Sequence, residues 1–164
     1  MPPIPIAMAG KIIPHAHAFS KLMLPEYEII FRFQSAPEFH SSFPFLMKGT
    51  PVNPESQIGT NTDNPNPKIP AAIFVGGGFS DDELESMRAV PEAKMLPWVS
   101  PSQSTREEVR KVGDLMSREQ REGGPGEGVM EVVVRRVKEC LKEHGVVEGG
   151  EGLEGKDGGE LWRC

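Results

Sequence analysis

The sequence predicts an α/β protein: a small doubly wound parallel sheet of about four strands in the order 2-1-3-4, in a three-layer Rossmann-like or flavodoxin-like arrangement. Two observations predict this fold. Short apolar runs alternate along the chain with segments of helical periodicity, which is typical of strand–helix–strand units. The runs are also apolar almost without interruption, as parallel strands are when helices cover both faces of the sheet.

The first two strands and the helix after them follow from local patterns. Residues 4–9 form the first apolar run, and apolar residues at helical spacing come after it. Residues 27–33 are rich in aromatic and β-branched side chains and are therefore predicted as the second strand. Ser35 and Glu38 have the spacing of a capping box. Because proline disrupts a helix interior, we expect Pro44 to limit the capped helix to little more than one or two turns.

The third strand and the helix after it are the clearest local prediction. Residues 71–75 form an apolar strand that runs directly into three glycines, and a capping box from Ser80 to Glu83 opens the next helix. A fourth, shorter strand is predicted at residues 94–99. Two further helices follow it, and the first of them is expected to begin at a second capping box that starts at Ser104.

Two segments lie outside this alternation. We assign residues 1–145 to a single domain with an insertion at 48–70, which is longer than the usual structureless loop in a compact domain. The insertion is interpreted as a lid, a mobile excursion or a loop without function. Residues 146–164 are rich in Gly and Glu and are predicted as a flexible tail, although Leu161 and Trp162 could dock back on the domain.

Composition bears on partners and location. The 164 residues include 24 Asp and Glu against 18 Lys and Arg, a formal charge of −6, so nucleic acid is not expected as a partner. No segment is apolar over the roughly 18 residues needed to cross a bilayer, so no membrane association is expected. The N-terminal residues do not form a secretory signal. Cys140 and Cys164 are expected to be free thiols, with a disulfide between them as the alternative, and the expected location is cytoplasmic.

The predicted topology gives a position for a ligand site. In doubly wound sheets, ligands bind outside the carboxyl ends of the strands, where the strand order reverses. Here that position lies between the first and third strands. The segment after the first strand, the three glycines and the turn after the fourth strand are expected to frame it.

The glycine bend is the strongest candidate for holding a ligand. Glycines allow close approach of the backbone, and the N–H groups at the start of the following helix attract an anion. The alternative is a tight strand-to-helix turn without function, because Asp81 and Asp82 would themselves repel a phosphate group. Lys11 could add one positive charge or be an ordinary surface lysine, and Trp98 could stack on a ring or simply cap the core. The candidate ligand-binding residues are Gly10, Lys11, Gly76, Gly77, Gly78, Phe79, Ser80, Trp98 and Ser100.

Two histidines are candidates for acid–base chemistry. His15 and His17 follow the first strand, and either could act as a catalytic base at the sheet edge. Residues two apart point in nearly opposite directions from a helix, so the pair cannot bind one metal from a regular helix, and no metal site is predicted. The alternative interpretation is that both are ordinary residues at the start of a helix.

Several stretches together resemble a known group of proteins. They are IPIAMAGK, LPEYEII, PAAIFVGGGFSDDELESMR and PWVSP, with LW close to the end. In these stretches the chain resembles small Rossmann-like proteins of filamentous fungi, whose function is unassigned. The resemblance covers most of residues 4–145 and implies the fold, but it contains no catalytic signature and implies no particular activity.

Three hypotheses about function remain open on the sequence. The first is the binding of a nucleotide-like or other anionic small molecule, with a nucleotide or an NAD(P)-like ligand as one candidate, although only Gly10 of the dinucleotide-binding glycine pattern is present. The second is a non-catalytic interaction or scaffold protein, which could be a homodimer. The third is a small enzyme without cofactor, acting on a carbonyl or carboxylate substrate through a histidine base.

Overall fold

The computed structural model describes residues 2–76, 78–115, 127–147 and 160–164. The strands are β1 (Ile4–Ala9), β2 (Tyr27–Phe33), β3 (Ala72–Val75), β4 (Trp98–Ser100) and β5 (Leu161–Arg163). The helices in these ranges are α1 (Ile13–Met23), α2 (Ala36–Met47), α3 (Asp81–Arg88), α4 (Gln103–Leu115) and α5 (Glu127–Glu143), with a 3₁₀ turn at Pro91–Met95.

The predicted fold class is confirmed. The five strands form one parallel sheet in the order β2-β1-β3-β4-β5, which contains the predicted order of the first four. Along β1, Ile6 and Met8 face α1 and α5, whereas Ala7 and Ala9 face α2 and α3. Both faces of the sheet are therefore buried, which explains the uninterrupted apolar strands. None of the described helices combines the length and the apolar content that crossing a bilayer requires.

The insertion at residues 48–70 lies along the outer edge of β2. The N–H of Arg32 donates to the carbonyl of Ile58 at 3.0 Å, and the N–H of Asn61 donates to the carbonyl of Ile30 at 2.9 Å. These bonds occupy backbone groups that an edge strand would otherwise leave exposed. The segment therefore covers one edge of the sheet. Its residues do not form a lid over the carboxyl-edge cavity described below.

Leu161 and Trp162 dock on the domain as part of a fifth strand, as one alternative for the predicted tail had it. The N–H of Trp98 donates to the carbonyl of Glu160 at 2.8 Å, and the N–H of Cys164 donates to the carbonyl of Ser100 at 2.9 Å. A three-residue strand is too short to give a recognisable pattern, so only its pairing with β4 reveals it. The rest of the predicted tail, residues 148–159, lies outside the described residues.

The cysteines form a disulfide, so the expectation of two free thiols was wrong. Cys140 of α5 is bonded to Cys164, 24 positions later, with their Cα atoms 5.8 Å apart. The expectation rested on sequence context alone, whereas the pairing depends on β5 bringing the end of the chain against α5. The disulfide therefore joins a helix to the residue that directly follows the edge strand β5.

Helix α2 is longer than Pro44 led us to expect. Pro44 lies inside the helix, which continues to Met47. A proline in a helix interior costs about 3 kcal/mol. The helix also buries Phe39, Phe43 and Leu46 completely, and each such side chain contributes roughly 1.5–3 kcal/mol. Burial of this face outweighs the lost hydrogen bond.

Two predicted boundaries shift around the fourth strand. β4 begins at Trp98, after Pro97, because a proline cannot donate a ladder hydrogen bond. Helix α4 is capped by Ser102, whose hydroxyl accepts from the N–H of Thr105 at 3.2 Å, and not by Ser104. The carbonyl of Cys164 also accepts from the N–H of Ser102 at 2.9 Å and from the hydroxyl of Thr105. The end of the chain thus occupies part of the α4 N-terminus.

Candidate ligand-binding cavity at the carboxyl edge

A cavity of about 390 Å³ opens at the carboxyl edge of the sheet, on the side of α1, α4 and α5. It lies beside the ends of β1 and β3, where the strand order reverses, which is the position that the topology predicted. Its rim includes Gly10, Lys11, His15, Gly76, Gly78 and Arg106.

The inner walls of the cavity are apolar. Met8 and Phe74 are paired neighbours on β1 and β3, and both side chains face the helices. The ring of Phe19 stacks on the ring of Phe74, with centroids 4.2 Å apart and planes at 14°. Met130 and Val133 of α5 form part of the remaining wall. Because β1 and β3 alternate their side chains, the residues that build this core also build the wall of the cavity.

The two candidate histidines lie in different surroundings. His15, in the first turn of α1, is half-buried and lines the cavity together with Ala16 and Phe19. Burial lowers the pKa of His15, so its imidazole is neutral at pH 7 and able to accept a proton. His17 is exposed and does not line the cavity, since it points away from the same helix two residues later.

Lys11 reaches the rim with its charge already paired. Its Nζ atom lies 3.0 Å from Oε1 of Glu83 and 4.9 Å from the centroid of the Phe79 ring. The same carboxylate oxygen accepts from the N–H of Ser80 at 3.1 Å. This backbone bond and the bond from Lys11 hold the pKa of Glu83 below its ordinary value. Phe79 and Ser80 therefore support the rim through Lys11 and Glu83, and neither lines the cavity.

A buried arginine fixes the first residue of the rim. Nε of Arg32, on β2, donates to the carbonyl of Gly10 at 2.9 Å. Burial lowers the pKa of the Arg32 guanidinium, and its Nη1 atom has no hydrogen-bond partner among the described residues. Arg32 thus links the edge strand to the turn after β1.

The glycine bend after β3 reaches the cavity as predicted from its position. The N–H of Gly76 donates to the carbonyl of Ala9 at 2.9 Å, which extends the pairing of β1 and β3 by one residue. Gly78 has a φ of +99°, a conformation that residues with a side chain rarely adopt. Gly77 lies outside the described residues. A role for the amides of this bend in holding an anion stays a prediction.

The two candidate contacts after the fourth strand have structural roles. Trp98 is fully buried on the other face of the sheet, and its indole N–H donates to the carbonyl of Ala93 at 3.0 Å. Ser100 is buried at the end of β4, and its hydroxyl accepts from Arg163 at 3.4 Å. Neither side chain lines the cavity, because alternation along this short strand directs Trp98 into the opposite core.

Arg106 is a rim residue that the sequence did not indicate. Its N–H donates to the carbonyl of Ser102 at 3.0 Å, which places it near the start of α4, and Val109 lines the cavity from the same helix face. Within the described ranges, no hydrogen bond or ion pair involves the Arg106 guanidinium. Arg106 lies on a helix and not in one of the turns that frame the predicted site. Only the packing of α4 against the rest of the domain brings it to the rim.

The polar side chains at the cavity are cationic or basic. Among the described residues, only Lys11, His15 and Arg106 bring a polar side chain to it, and no carboxylate lines it. This contrasts with the formal charge of −6 for the whole chain. Because Glu83 pairs with Lys11, Arg106 is the described cavity residue that contributes an unpaired positive charge, which attracts anions. Elsewhere in the described part of the chain, no group of three or more His, Cys, Asp or Glu residues is arranged to hold a metal ion.

Comparison with known proteins gives one relative among curated proteins. The chain is 30% identical over 99 residues to "Kojic acid related protein 6" of Aspergillus oryzae, covering 58% of this chain and 57% of that protein. The chain therefore matches little more than half the length of this relative. The match confirms the resemblance to fungal proteins. No family model matches the chain, and no solved structure matches it.

Proposed function

We propose that the protein binds a small anionic molecule in the carboxyl-edge cavity. The observation that carries the proposal is Arg106: a guanidinium at the rim with no carboxylate partner among the described residues, next to a cavity that no described carboxylate lines. Guanidinium groups form strong, two-pronged hydrogen bonds with carboxylate and phosphate groups. In such a site the guanidinium gains a charge partner, and the anionic group of the ligand gains hydrogen-bond donors.

The other rim groups have supporting roles in this proposal. Lys11 contributes less than its charge indicates, because Glu83 neutralises it at 3.0 Å. Gly76 and Gly78 carry no side chain of their own, which favours close approach of a ligand to their backbone, and the side chain of Lys11 lies 3.7 Å from the Cβ position of Gly78. The α4 N-terminus is partly occupied by the carbonyl of Cys164, so the side chain of Arg106 provides the main attraction.

Thermal unfolding of the protein in the presence of small anions tests the proposal. Inorganic phosphate, AMP and simple carboxylates are added at fixed ionic strength to the wild type, to Arg106→Gln and to Arg110→Gln. Arg110 lies one turn further along α4, is exposed and does not line the cavity, so it is a matched control. At least one anion should raise the melting temperature of the wild type and of Arg110→Gln, and Arg106→Gln should weaken binding roughly tenfold or more. An equal response in both variants, or none in any protein, contradicts the proposal.

A second candidate function is proton transfer to or from the ligand by His15. It is favoured by the half-buried position of this imidazole on the cavity wall and by its lowered pKa, which provides a neutral base at pH 7. Titration of the imidazole by NMR should give a pKa below its ordinary value. The pKa should rise when an anion binds, because the anion stabilises the protonated ring. No response to a bound anion would place His15 outside the site.

The proposal includes a cytoplasmic location, for which the sequence offers fewer arguments than before. The disulfide between Cys140 and Cys164 removes one of its arguments, because disulfides persist mainly in oxidising compartments. Fractionation of cells that produce the tagged protein measures the location.

The alternative of a homodimeric scaffold protein predicts a concentration-dependent dimer in sedimentation and no response to any anion.

A further inference from the structure

We infer that the ligand is a small organic acid with one anionic group and an apolar body, such as an aryl or branched-chain carboxylate, and not a nucleotide. This inference rests on the proposed function, because it assigns a ligand class to the same cavity. It follows from the unequal distribution of polar and apolar groups around the cavity.

The cavity walls favour an apolar body. The side chains of Met8, Phe19 and Phe74, together with Met130 and Val133 of α5, form the apolar wall, so the surface that faces a ligand there consists of rings, thioethers and methyl groups. All five side chains belong to the same buried core. Burial of apolar ligand surface against them is favourable, and no hydroxyl or amide side chain among the described lining residues offers a hydrogen bond in the interior.

The size of the cavity favours a compact ligand. Its volume is about 390 Å³, near the lower end of the range for sites that bind small organic molecules. An apolar cavity of roughly 150 Å³ already accommodates benzene. The space therefore holds a ring or a branched chain together with a short acidic group.

The polar groups do not suit a nucleotide. A base and a ribose require hydrogen bonds to their edges and hydroxyl groups, and buried polar groups without partners are unfavourable. A pyrophosphate requires several unpaired donors or cations. Of the three polar side chains at the described part of the cavity, Lys11 is paired with Glu83 and His15 is neutral at pH 7, which leaves Arg106 to bind one anionic group.

The arrangement of α4 defines the orientation of the ligand. Arg106 and Val109 are three residues apart and line the cavity from one helix face, with Arg106 exposed and Val109 half-buried. One helix thus presents a charge at the opening and an aliphatic side chain further in. The acidic group of the ligand is expected at the guanidinium, and its apolar body is expected toward Phe74.

Calorimetric titration of the full chain tests the inference with two acids, one neutral analogue and two anions of the competing class. The probes are phenylacetate, hexanoate, phenylacetamide, AMP and inorganic phosphate, each titrated into the wild type, Arg106→Gln and Arg110→Gln. At least one of the two acids should bind the wild type and Arg110→Gln with equal affinity. The affinity of Arg106→Gln for that acid should be lower by roughly tenfold or more. Phenylacetamide, which lacks the charge, should bind the wild type no more tightly than the acid binds Arg106→Gln.

The competing outcomes separate this inference from the proposed function. Binding of AMP or phosphate that depends on Arg106, without binding of either acid, overturns the apolar acid and leaves anion binding intact. Binding of phenylacetamide as tight as that of phenylacetate overturns the role of the anionic group. Absence of binding by all five probes overturns both. Val109→Trp, which should fill the interior and abolish binding of the acid without unfolding the protein, provides a second test; unchanged binding by a folded Val109→Trp variant contradicts the inference.

Discussion

The Nζ atom of Lys11 lies 3.0 Å from Oε1 of Glu83, so the cation that follows the first strand is already neutralised at the cavity rim. Both side chains are about one-third exposed, which leaves the pair accessible to solvent and sensitive to salt. The pair joins the turn after β1 to the first turn of α3. It also makes Glu83 a residue that controls how much of the Lys11 charge is available at the rim.

Glu83→Gln should strengthen binding of a small anion severalfold, because it releases the charge of Lys11 toward the cavity. The amide oxygen can still accept from the N–H of Ser80, so the melting temperature should change little. Calorimetric titration with phenylacetate at low and high salt measures the effect, which should be smaller at high salt. Glu85→Gln removes an exposed carboxylate two residues away and is the control. Equal affinities of the two variants would show that Lys11 does not act on the ligand.

The pH dependence of stability should report the burial of His15. Because burial lowers its pKa in the folded state, the unfolded chain binds a proton more readily, and stability falls as the pH falls through the ordinary histidine value near 6.5. Urea denaturation at pH 7.5 and 5.5 should therefore show that the free energy of unfolding falls less between the two pH values for His15→Gln than for the wild type. His17→Gln, at an exposed position, should behave as the wild type does. The reverse order of the two variants would contradict this placement of α1.

Gly59→Ala should destabilise the protein by about 2 kcal/mol or more, because the position combines strain with a steric clash. Gly59 has a φ of +131°, and an added Cβ would lie 2.3 Å from the carbonyl oxygen of Ile30. Gly145→Ala is the matched control, since its φ is +83° but no atom lies within 4 Å of the added Cβ. Chemical denaturation should give a clearly higher free energy of unfolding for Gly145→Ala than for Gly59→Ala. Equal losses would mean that the insertion does not pack on β2.

Removal of the disulfide should cost about 3 kcal/mol of stability, since the bond closes a loop over 24 positions of separation. Cys140→Ser and Cys164→Ser should each show this loss in urea, and reduction of the wild type should reproduce it. Peptide mapping under non-reducing conditions should recover the two cysteine-containing peptides as one linked species. Two unlinked peptides from freshly purified protein would contradict the pairing.

The sequence predicted the parts of the fold that depend on local patterns. The apolar runs of β1, β2 and β3 and the capping box at Ser80 are local features, and the reversal of strand order follows from a general topological rule, so the cavity lies where we expected it. Gly10 and Lys11 reach its rim because they directly follow β1, and His15 does so from the first turn of the next helix, α1.

The remaining features depend on contacts between distant segments. Arg106 reaches the rim only because α4 packs beside α5 over the sheet, and nothing in its own surroundings in the sequence marks it. The strand at Leu161–Arg163 and the disulfide to Cys140 likewise require the end of the chain to lie against β4. Trp98 packs in the core, as its alternative interpretation held, on the face of the sheet that α2 and α3 cover.

A crystal structure of the protein with 4-iodophenylacetate tests the central claim most directly, because the iodine is located by its anomalous scattering. The account predicts one iodine site inside the cavity, among Phe74, Met130 and Val133, with the carboxylate within hydrogen-bond distance of Arg106. Iodine bound only outside this cavity, or a carboxylate directed away from Arg106, would contradict it.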